Sequence, residues 1–256
     1  GSLLSPVLLT VAFGIGIPII IFFFATYLLK LSAHDGASVA AHYGSVSVVT
    51  FTAAMIFATE ADFFTEPFMT SLVAIIEIPG IVVALVLASM KSESVNWRTA
   101  VHEVLTGQSV LLLVGGIFIG VASSANSFSR VEPFFVGMFA GLLTLFLLDM
   151  GASVATRFIE SGRPPLRMAI FAIVSPIIFG TLGVFAAHAI GLSIGGSAVF
   201  GIMAASASYI AAPAAVRIAL PNADSGLSLG LALGVTFPFN LTIGIPLAFM
   251  FSRSIG

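Results

Sequence analysis

Neutral hydroxyl groups interrupt two otherwise apolar stretches of the chain. Ser47 and Thr50 lie in one stretch, and Ser206 and Ser208 lie in the other. Hydroxyls suit a small oxyanion because they donate hydrogen bonds without adding charge. The negative charge of such a ligand can be met by the free N–H groups at the N-terminus of a half-helix. The alternative for each hydroxyl is a packing role, with a hydrogen bond to a carbonyl of the preceding helical turn.

A set of oxygen-bearing residues predicts a sodium site beside these hydroxyls. Glu77 stands in the middle of an apolar stretch, where an ionised side chain costs roughly 2.5–3.5 kcal/mol or more inside a bilayer. It is therefore predicted to be a sodium ligand or coupling carboxylate, with a protonated or hydrogen-bonded glutamate in a structural role as the alternative. Thr236 and Asn240 could add oxygen ligands, which suit hard cations, although helix–helix hydrogen bonding explains them equally well. The predicted sodium ligands are Ser47, Glu77, Thr236 and Asn240.

No pattern typical of catalysis accompanies these groups. The sequence contains no cysteine, no Ser–His–Asp set, no glycine-rich phosphate loop and no histidines spaced for a metal. We therefore do not expect an enzyme. The net charge of −2 and the lack of a basic block also argue against a nucleic-acid partner.

The composition predicts a protein of the lipid bilayer. Of 256 residues, 59% are hydrophobic and 8% are charged, whereas soluble domains have about 45–50% and 25%. Polar breaks leave eight apolar stretches long enough to cross a membrane, since a spanning helix needs about 20 residues. The sequence therefore predicts an all-α membrane protein with about eight transmembrane spans. These spans are expected near residues 3–29, 36–59, 66–90, 107–123, 133–155, 165–190, 192–217 and 226–252.

The polar segment 91–106 divides the chain into residues 1–90, with three predicted spans, and residues 107–256, with five. Sorting the basic residues by side puts seven on one face and two on the other. The positive-inside rule assigns the seven-charge face to the cytoplasm, which makes 91–106 a cytoplasmic joint and leaves both ends outside. The seven are Lys30, Lys91, Arg98, Arg157, Arg163, Arg167 and Arg217, and the two are Arg130 and Arg253.

Two of the spans are expected to be broken helices. The second has small and polar residues from His42 to Thr52, and the seventh contains Pro213, which lacks an N–H and disrupts a helix. A break inside a bilayer is tolerated only where protein or water satisfies the freed backbone groups. The triplets 36–90 and 192–252 share this pattern in opposite directions, which favours the binding site of a secondary transporter. Close helix packing through small residues is the alternative.

The unequal halves suggest a longer parent protein. If each half is a five-helix repeat, two helices precede the spans seen here, and the eight belong to a ten-helix transporter with 5+5 inverted repeats. The opening Gly1-Ser2, typical of a cloning remnant, agrees with this expectation.

A series of short motifs resembles one known family, the sodium-dependent bicarbonate transporters of the SbtA type. No single motif is specific, but their order and spacing over about 200 residues are similar to the family's third to tenth helices. The motifs are Gly44-Ser-Val-Ser-Val-Val-Thr50, Glu77-Ile-Pro79, Gly141-Leu-Leu143, Ala204-Ala-Ser-Ala-Ser208, Pro213 with Arg217, Ile218-Ala-Leu-Pro221 and Gly244-Ile-Pro246.

The resemblance implies a fold and an activity. The fold has ten helices in two inverted repeats, with a core domain whose two discontinuous helices cross and a gate domain that forms a homotrimer. The activity is symport of bicarbonate with Na⁺ as the coupling ion, across the bacterial inner membrane, with a PII-like regulatory partner on the cytoplasmic face. The family's substrate-facing serine corresponds to Ser47, and its serine cluster corresponds to Ser206 and Ser208. With the anion placed between the half-helix ends, the predicted substrate-binding positions are Gly44, Ser45, Val46, Ser47, Thr50, Ser206, Ala207, Ser208 and Tyr209.

Two departures from the family's pattern fall at this site. Ser206-Ala-Ser-Tyr209 stands where the family commonly has Ser-Ser-Ser-Asp, so an acidic group is absent. Val46-Ser-Val-Val-Thr50 stands where the family commonly has Val-Ser-Gly-Ser-Thr, and Glu77 stands where it has Asp. The identity of the anion therefore stays open between bicarbonate and another small oxyanion or carboxylate. A channel or a non-transporting membrane sensor on the same fold is the alternative from a different class.

Overall fold

The computed structural model of the chain describes residues 3–91, 102, 105–106, 108–123, 125–161 and 164–256. Every regular element in these ranges is helical. Within the described residues, five stretches are long and apolar enough to cross a membrane: Leu4–Leu28, Ala33–Glu60, Met69–Ser89, Leu166–Ala189 and Ser225–Ile255. The prediction of an all-α membrane protein is therefore confirmed in this general form. Most of the predicted joint 91–106 lies outside the described residues, as do Gly1-Ser2 and Arg163.

The helices follow the predicted apolar stretches, and the second and seventh stretches are each divided in two. A single turn at Ala125–Phe128 and a π-helical turn at Pro133–Gly137 precede α6. Numbered along the chain, the helices are α1 (Leu4–Leu28), α2 (Ala33–Gly44), α3 (Val48–Glu60), α4 (Met69–Ser89), α5 (Gln108–Ala122), α6 (Phe139–Ser161), α7 (Leu166–Ala189), α8 (Ile194–Ala205), α9 (Ala211–Ala219) and α10 (Ser225–Ile255).

Both predicted helix breaks are present. Residues 45–47 separate α2 from α3, and residues 206–210 separate α8 from α9. Pro213 does not lie at the second break, as the sequence suggested, but in the first turn of α9. An N–H in the first turn has no acceptor inside its helix, so proline is tolerated there. The polar residues 206–210 therefore form the break, and Pro213 helps to start the next helix.

Close backbone contacts hold the first break against α1 and α4. A Cβ atom built on Gly80 of α4 would overlap the carbonyl group of Gly44, the last residue of α2. A Cβ on Gly44 would in turn lie 2.8 Å from Pro18 of α1. Small residues allow helix backbones to approach this closely in membrane proteins. The end of α2 is therefore fixed at the junction of three helices.

The second broken helix is held by a similar contact between α7 and α8. A Cβ on Gly201 of α8 would lie 2.8 Å from the carbonyl oxygen of Gly180, and one on Gly183 would lie 3.0 Å from Cα of Gly201. The α7–α8 pair is thus packed backbone to backbone. Each half of the chain therefore fixes a half-helix by glycine contacts with an unbroken neighbour.

The prolines of α7 and α10 leave carbonyl groups without their usual helical hydrogen bond. Another side chain or a π-helical turn compensates for each loss. Pro176 has no N–H to offer the carbonyl of Ala172, and the Thr236 hydroxyl donates to that carbonyl at 2.7 Å. The hydroxyl of Tyr43 lies 2.7 Å from Thr236 Oγ1, which joins α2 to the same chain of hydrogen bonds. In α10 itself, π-helical turns at Ala232–Thr236 and Asn240–Gly244 come just before its two prolines.

Carboxylates fix the far ends of α2 and α8. Asp35, in the first turn of α2, accepts a hydrogen bond from the N–H of Asp224 before α10, at 2.7 Å. Glu66, before α4, accepts one from the N–H of Ser193 before α8, at 2.6 Å. Negative groups are favourable at helix N-termini because of the helix dipole. The two half-helices are therefore anchored at their starts as well as at their breaks.

Helices α5 and α6 stand apart from the other described helices. Many of their apolar side chains are exposed, including Leu111, Phe118, Leu145 and Leu148. The contacts of α6 with the described helices beyond its own lead-in turn concentrate on the first half of α10, residues 225–236. Exposed apolar surface of this kind suits lipid or a partner rather than water.

The glycine contact at the first break generates a stability prediction. Gly80→Ala should lower the free energy of unfolding by about 1–3 kcal/mol, the usual cost of overpacking, because the new methyl group must displace the Gly44 carbonyl. Gly16→Ala in α1 is the matched control, since a Cβ there meets nothing within 4 Å. Thermal unfolding in detergent gives the comparison. Equal melting temperatures for the two variants would contradict the close contact between Gly80 and the Gly44 carbonyl.

Candidate functional site

The two helix breaks meet inside the protein and exchange hydrogen bonds. The N–H of Ser208 donates to the carbonyl of His42 near the end of α2, at 2.7 Å. The N–H of Ser47 donates to the hydroxyl of Ser206 at 3.0 Å. All four residues are buried. Each break therefore satisfies backbone groups that the other leaves free, as a bilayer requires.

Ser47 caps the N-terminus of α3. Its hydroxyl oxygen accepts hydrogen bonds from the N–H of Thr50 at 3.2 Å and from the Thr50 hydroxyl at 2.9 Å. Serine is among the preferred residues at this position, so the local sequence itself starts the helix. A hydroxyl oxygen has two acceptor positions and one hydrogen. Since both acceptor positions are in use, the Ser47 hydroxyl can meet a ligand only as a donor.

At the second break, Ser206 bonds to the end of α8 and Ser208 bonds to the start of α9. The Ser206 hydroxyl donates to the carbonyl of Met203 at 2.9 Å and so satisfies a carbonyl at the end of α8. The Ser208 hydroxyl accepts from the N–H of Ala212 at 3.3 Å, as a cap of α9. The hydrogen of Ser206 is therefore committed within the protein, whereas that of Ser208 is available to a ligand.

A cavity of about 30 Å³ lies where the breaks meet. The N-termini of α3 and α9 both border it, and the first N–H groups of a helix have no acceptor inside that helix. A cavity of this size admits about one or two water-sized species. No Lys or Arg is among its lining residues, which are Val46, Ser47, Val48, Glu77, Ser208, Tyr209 and Ile210.

Two polar atoms that make no hydrogen bond of normal geometry in the described part of the chain belong to residues of this cavity. Glu77 is 2% exposed and its Oε2 has no hydrogen-bond partner among the described residues. The hydroxyl of Tyr209 is likewise buried; it makes no hydrogen bond of normal geometry within them and interacts only with the side chain of Ser47. A buried polar group without a partner costs about 1–3 kcal/mol, and a charged group costs more. Both atoms are therefore poised to contact a ligand.

The structure brings together many of the predicted site residues. Val46, Ser47, Glu77, Ser208 and Tyr209 line the cavity. Thr50 and Ser206 stand one hydrogen bond behind it, both bonded to Ser47. The remaining predicted substrate positions are buried in the breaks but do not line the cavity; they are Gly44, Ser45 and Ala207.

Two predicted sodium ligands lie away from the cavity. Thr236 is bonded to Ala172 and Tyr43, as described above. The Asn240 amide donates to the carbonyl of Ala205 at 2.9 Å, at the end of α8. Its Oδ1 has no partner in the described part of the chain, and the residue borders a separate groove between α7, α8 and α10. The alternative noted from the sequence, helix–helix hydrogen bonding, thus describes their observed contacts.

Sequence reasoning missed three contributors to the site. Val48 and Ile210 line the cavity beside the starts of α3 and α9, and the His42 carbonyl receives the hydrogen bond that joins the breaks. Val48 follows directly after the capping Ser47, so recognising that cap would have identified it. The role of the His42 carbonyl could not be predicted from the sequence, because a residue of any type has a backbone carbonyl.

Comparison with known proteins places the chain in a family. Residues 1–253 match the family model of the Na⁺-dependent bicarbonate transporter superfamily. A search of curated proteins finds no match. The family match confirms the resemblance inferred from the motifs, and it agrees with the apolar helices in identifying an integral membrane protein. The chain belongs to the Na⁺-dependent bicarbonate transporter superfamily.

Proposed function

We propose that the protein is a secondary active transporter that moves bicarbonate together with Na⁺ in the same direction. One observation carries the proposal. A single buried cavity is bordered by the N-termini of two half-helices and by a carboxylate with an unpartnered oxygen. The first feature suits an anion and the second suits a cation.

The anion would bind through neutral donors. The hydroxyls of Ser47 and Ser208 have hydrogens to offer, and the N–H groups that remain at the two helix starts after Thr50 and Ala212 have bonded to these serines can add to them. Hydrogen bonds from neutral donors to an anion contribute about 1.5–3 kcal/mol each. The two helix dipoles add to this because both positive ends border the cavity. The charge of a monovalent oxyanion such as bicarbonate is therefore stabilised without a basic side chain.

Sodium would bind between the anion and Glu77. The Glu77 carboxylate and the anion repel one another, and in a low-dielectric cavity this repulsion is several times stronger than in water. A cation between them replaces that repulsion with two attractions. Glu77 is the proposed sodium ligand, with backbone carbonyls at the breaks completing an oxygen shell, because both acceptor positions of the Ser47 hydroxyl are already in use. Each ion then raises the affinity for the other by the same factor.

Transport also requires the cavity to enlarge. A volume of about 30 Å³ does not hold bicarbonate and Na⁺ together. We propose that the breaks separate as the protein alternates between outward-open and inward-open states. An inverted repeat relating 33–89 to 194–255 is supported by the matched breaks and the matched carboxylate anchors Asp35 and Glu66.

The surrounding architecture is proposed on the same basis. Eight spans cross a bacterial inner membrane, with the basic face toward the cytoplasm and both ends of the chain outside. The exposed apolar surface of α5 and α6 is available for lipid and for the homotrimer contacts that the family resemblance implies. A PII-like regulatory partner would bind the cytoplasmic face.

The first functional prediction tests symport directly. Full-length protein in liposomes should accumulate radiolabelled bicarbonate when Na⁺ is high outside, and uptake should collapse when the gradient is removed. A panel of small oxyanions and carboxylates in competition identifies the preferred anion. Bicarbonate flux that is independent of Na⁺ and does not saturate would indicate a channel. Binding without any flux would indicate a sensor.

The second prediction isolates the Ser47 hydroxyl as an anion ligand. Glycine is almost as good as serine at a helix N-cap, with a cost of only a few tenths of a kcal/mol. Ser47→Gly should therefore leave the protein folded but weaken bicarbonate binding by about ten- to a hundredfold, the equivalent of one hydrogen bond to a charged group. Ser32→Gly is the matched control, because Ser32 caps α2 at the far end. Unchanged affinity in Ser47→Gly would reduce Ser47 to a structural cap.

The third prediction concerns Glu77 and sodium. Glu77→Gln keeps the shape of the side chain but removes the charge that offsets the desolvation of Na⁺. Sodium stabilises the native state by RT ln(1 + [Na⁺]/Kd), about 2.7 kcal/mol at a hundred times Kd. This stabilisation, measured as a thermal shift, should largely disappear in Glu77→Gln and persist in the exposed control Glu60→Gln. A full sodium-dependent shift in Glu77→Gln would exclude the carboxylate as a sodium ligand.

A further inference from the structure

The aromatic pair Tyr209 and Phe237 connects two cavities, since each ring belongs to a residue that lines one of them. Tyr209 lines the site cavity of about 30 Å³. Phe237 lines an apolar cleft of about 260 Å³ between α6 and α10. The two rings contact each other edge to face, with their centroids 5.0 Å apart and their planes at 65°. The pair is therefore the wall between the site and the cleft.

The two rings are buried but poorly supported on the side of the cleft. Tyr209 and Phe237 form a small apolar cluster with Leu233, and Phe146 and Leu147 of α6 pack against it. Protein interiors are normally close-packed, with few voids larger than a water molecule. The cleft of about 260 Å³ beside this cluster is instead open toward the surface of the molecule, and it is the space toward which the rings can move.

The polar end of Tyr209 opposes such a movement only weakly. Its hydroxyl makes no hydrogen bond of normal geometry within the described part of the chain and interacts only with the side chain of Ser47, so rotation of the ring gives up that one contact. The ring of Phe237 would move from one apolar environment into another. On the other walls of the cavity, Ser47 and Ser208 are tied to helix starts by their caps. Tyr209 is thus the lining side chain that can move without undoing a helix end.

We propose that Tyr209 and Phe237 form a gate of the site cavity, which opens when the two rings swing toward the cleft. The opening supplies the extra volume that an anion and Na⁺ need together. Because α6 packs on the same cluster, a displacement of α6 against α10 changes the width of the cleft and so favours or prevents opening. This inference rests on the proposed function, since it concerns access to the same cavity.

A single introduced thiol can report the opening. The chain contains no cysteine, so Val46→Cys places one reactive group on the cavity wall. Its rate of reaction with a neutral methanethiosulfonate reagent in detergent measures opening and requires no transport.

Filling the cleft should hold the gate closed. A Cβ on Gly151 of α6 meets nothing within 4 Å, and this residue lines the cleft. Gly151→Leu in the Val46→Cys background should therefore fold normally and slow labelling by about tenfold or more, as expected for overpacking the open state. Phe237→Ala removes half of the gate and should accelerate labelling by a similar factor.

The control fills a cavity of equal size elsewhere. Thr181→Leu adds bulk to the separate groove of about 260 Å³ between α7, α8 and α10, and its labelling rate should match that of Val46→Cys alone. The proposed gate is wrong if folded Gly151→Leu is labelled at the rate of Val46→Cys alone, or if Phe237→Ala is not labelled faster. Either result counts against the gate even where bicarbonate uptake is driven by sodium. Labelling that follows the predicted order in a protein without bicarbonate uptake would instead uphold the gate and overturn the proposed symport.

Discussion

A helix that stops inside a bilayer leaves N–H and C=O groups that lipid cannot satisfy, and this constraint organises the centre of the protein. The structure meets it by placing two such helix ends against each other. The N–H of Ser208 reaches the carbonyl of His42, and the Ser206 hydroxyl serves both the N–H of Ser47 and the carbonyl of Met203. The site thus arises from the rule that every buried backbone group needs a partner. Its glycine contacts and prolines are then the means of holding the two ends in register.

The same constraint explains why the site is built from hydroxyls rather than charges. A serine at a break can accept from a helix N–H and still donate its own hydrogen, so in the proposed site one side chain can both start a helix and donate to an anion. A lysine or arginine could do neither at low cost, because a charge at this depth is expensive without a partner. Glu77 is the exception among the lining residues. A single carboxylate whose Oε2 lacks a partner in the described chain is what a site for a transient cation requires, since a permanent basic partner would occupy the place of the ion.

The sequence predicts the helices and the breaks well because both depend on local features. Long apolar stretches define the helices, and clusters of small and polar residues define residues 45–47 and 206–210 as breaks. The role of Pro213 was misjudged, since proline disrupts the interior of a helix but is tolerated in a first turn. Val46, Ser47, Ser208 and Tyr209, which were predicted together, line one cavity because the two breaks lie against each other.

Residue type alone could not separate ligands from structural oxygen atoms. Thr236 and Asn240 have the chemistry of sodium ligands, yet Thr236 satisfies the carbonyl freed by Pro176 and Asn240 satisfies the end of α8. Both uses depend on which helix stands opposite, and that is a property of tertiary packing. Glu77 differs from them because it lines the cavity between the breaks and its Oε2 finds no partner in the described chain, whereas the unpartnered Oδ1 of Asn240 belongs to a residue of a separate groove. The Thr236 hydroxyl and the Asn240 amide N–H make hydrogen bonds that stabilise the fold. Oε2 of the Glu77 carboxylate makes none within the described chain. In the proposed function, this unpartnered carboxylate oxygen and the two helix N-termini at the same cavity are what would let a cation and an anion stabilise one another there.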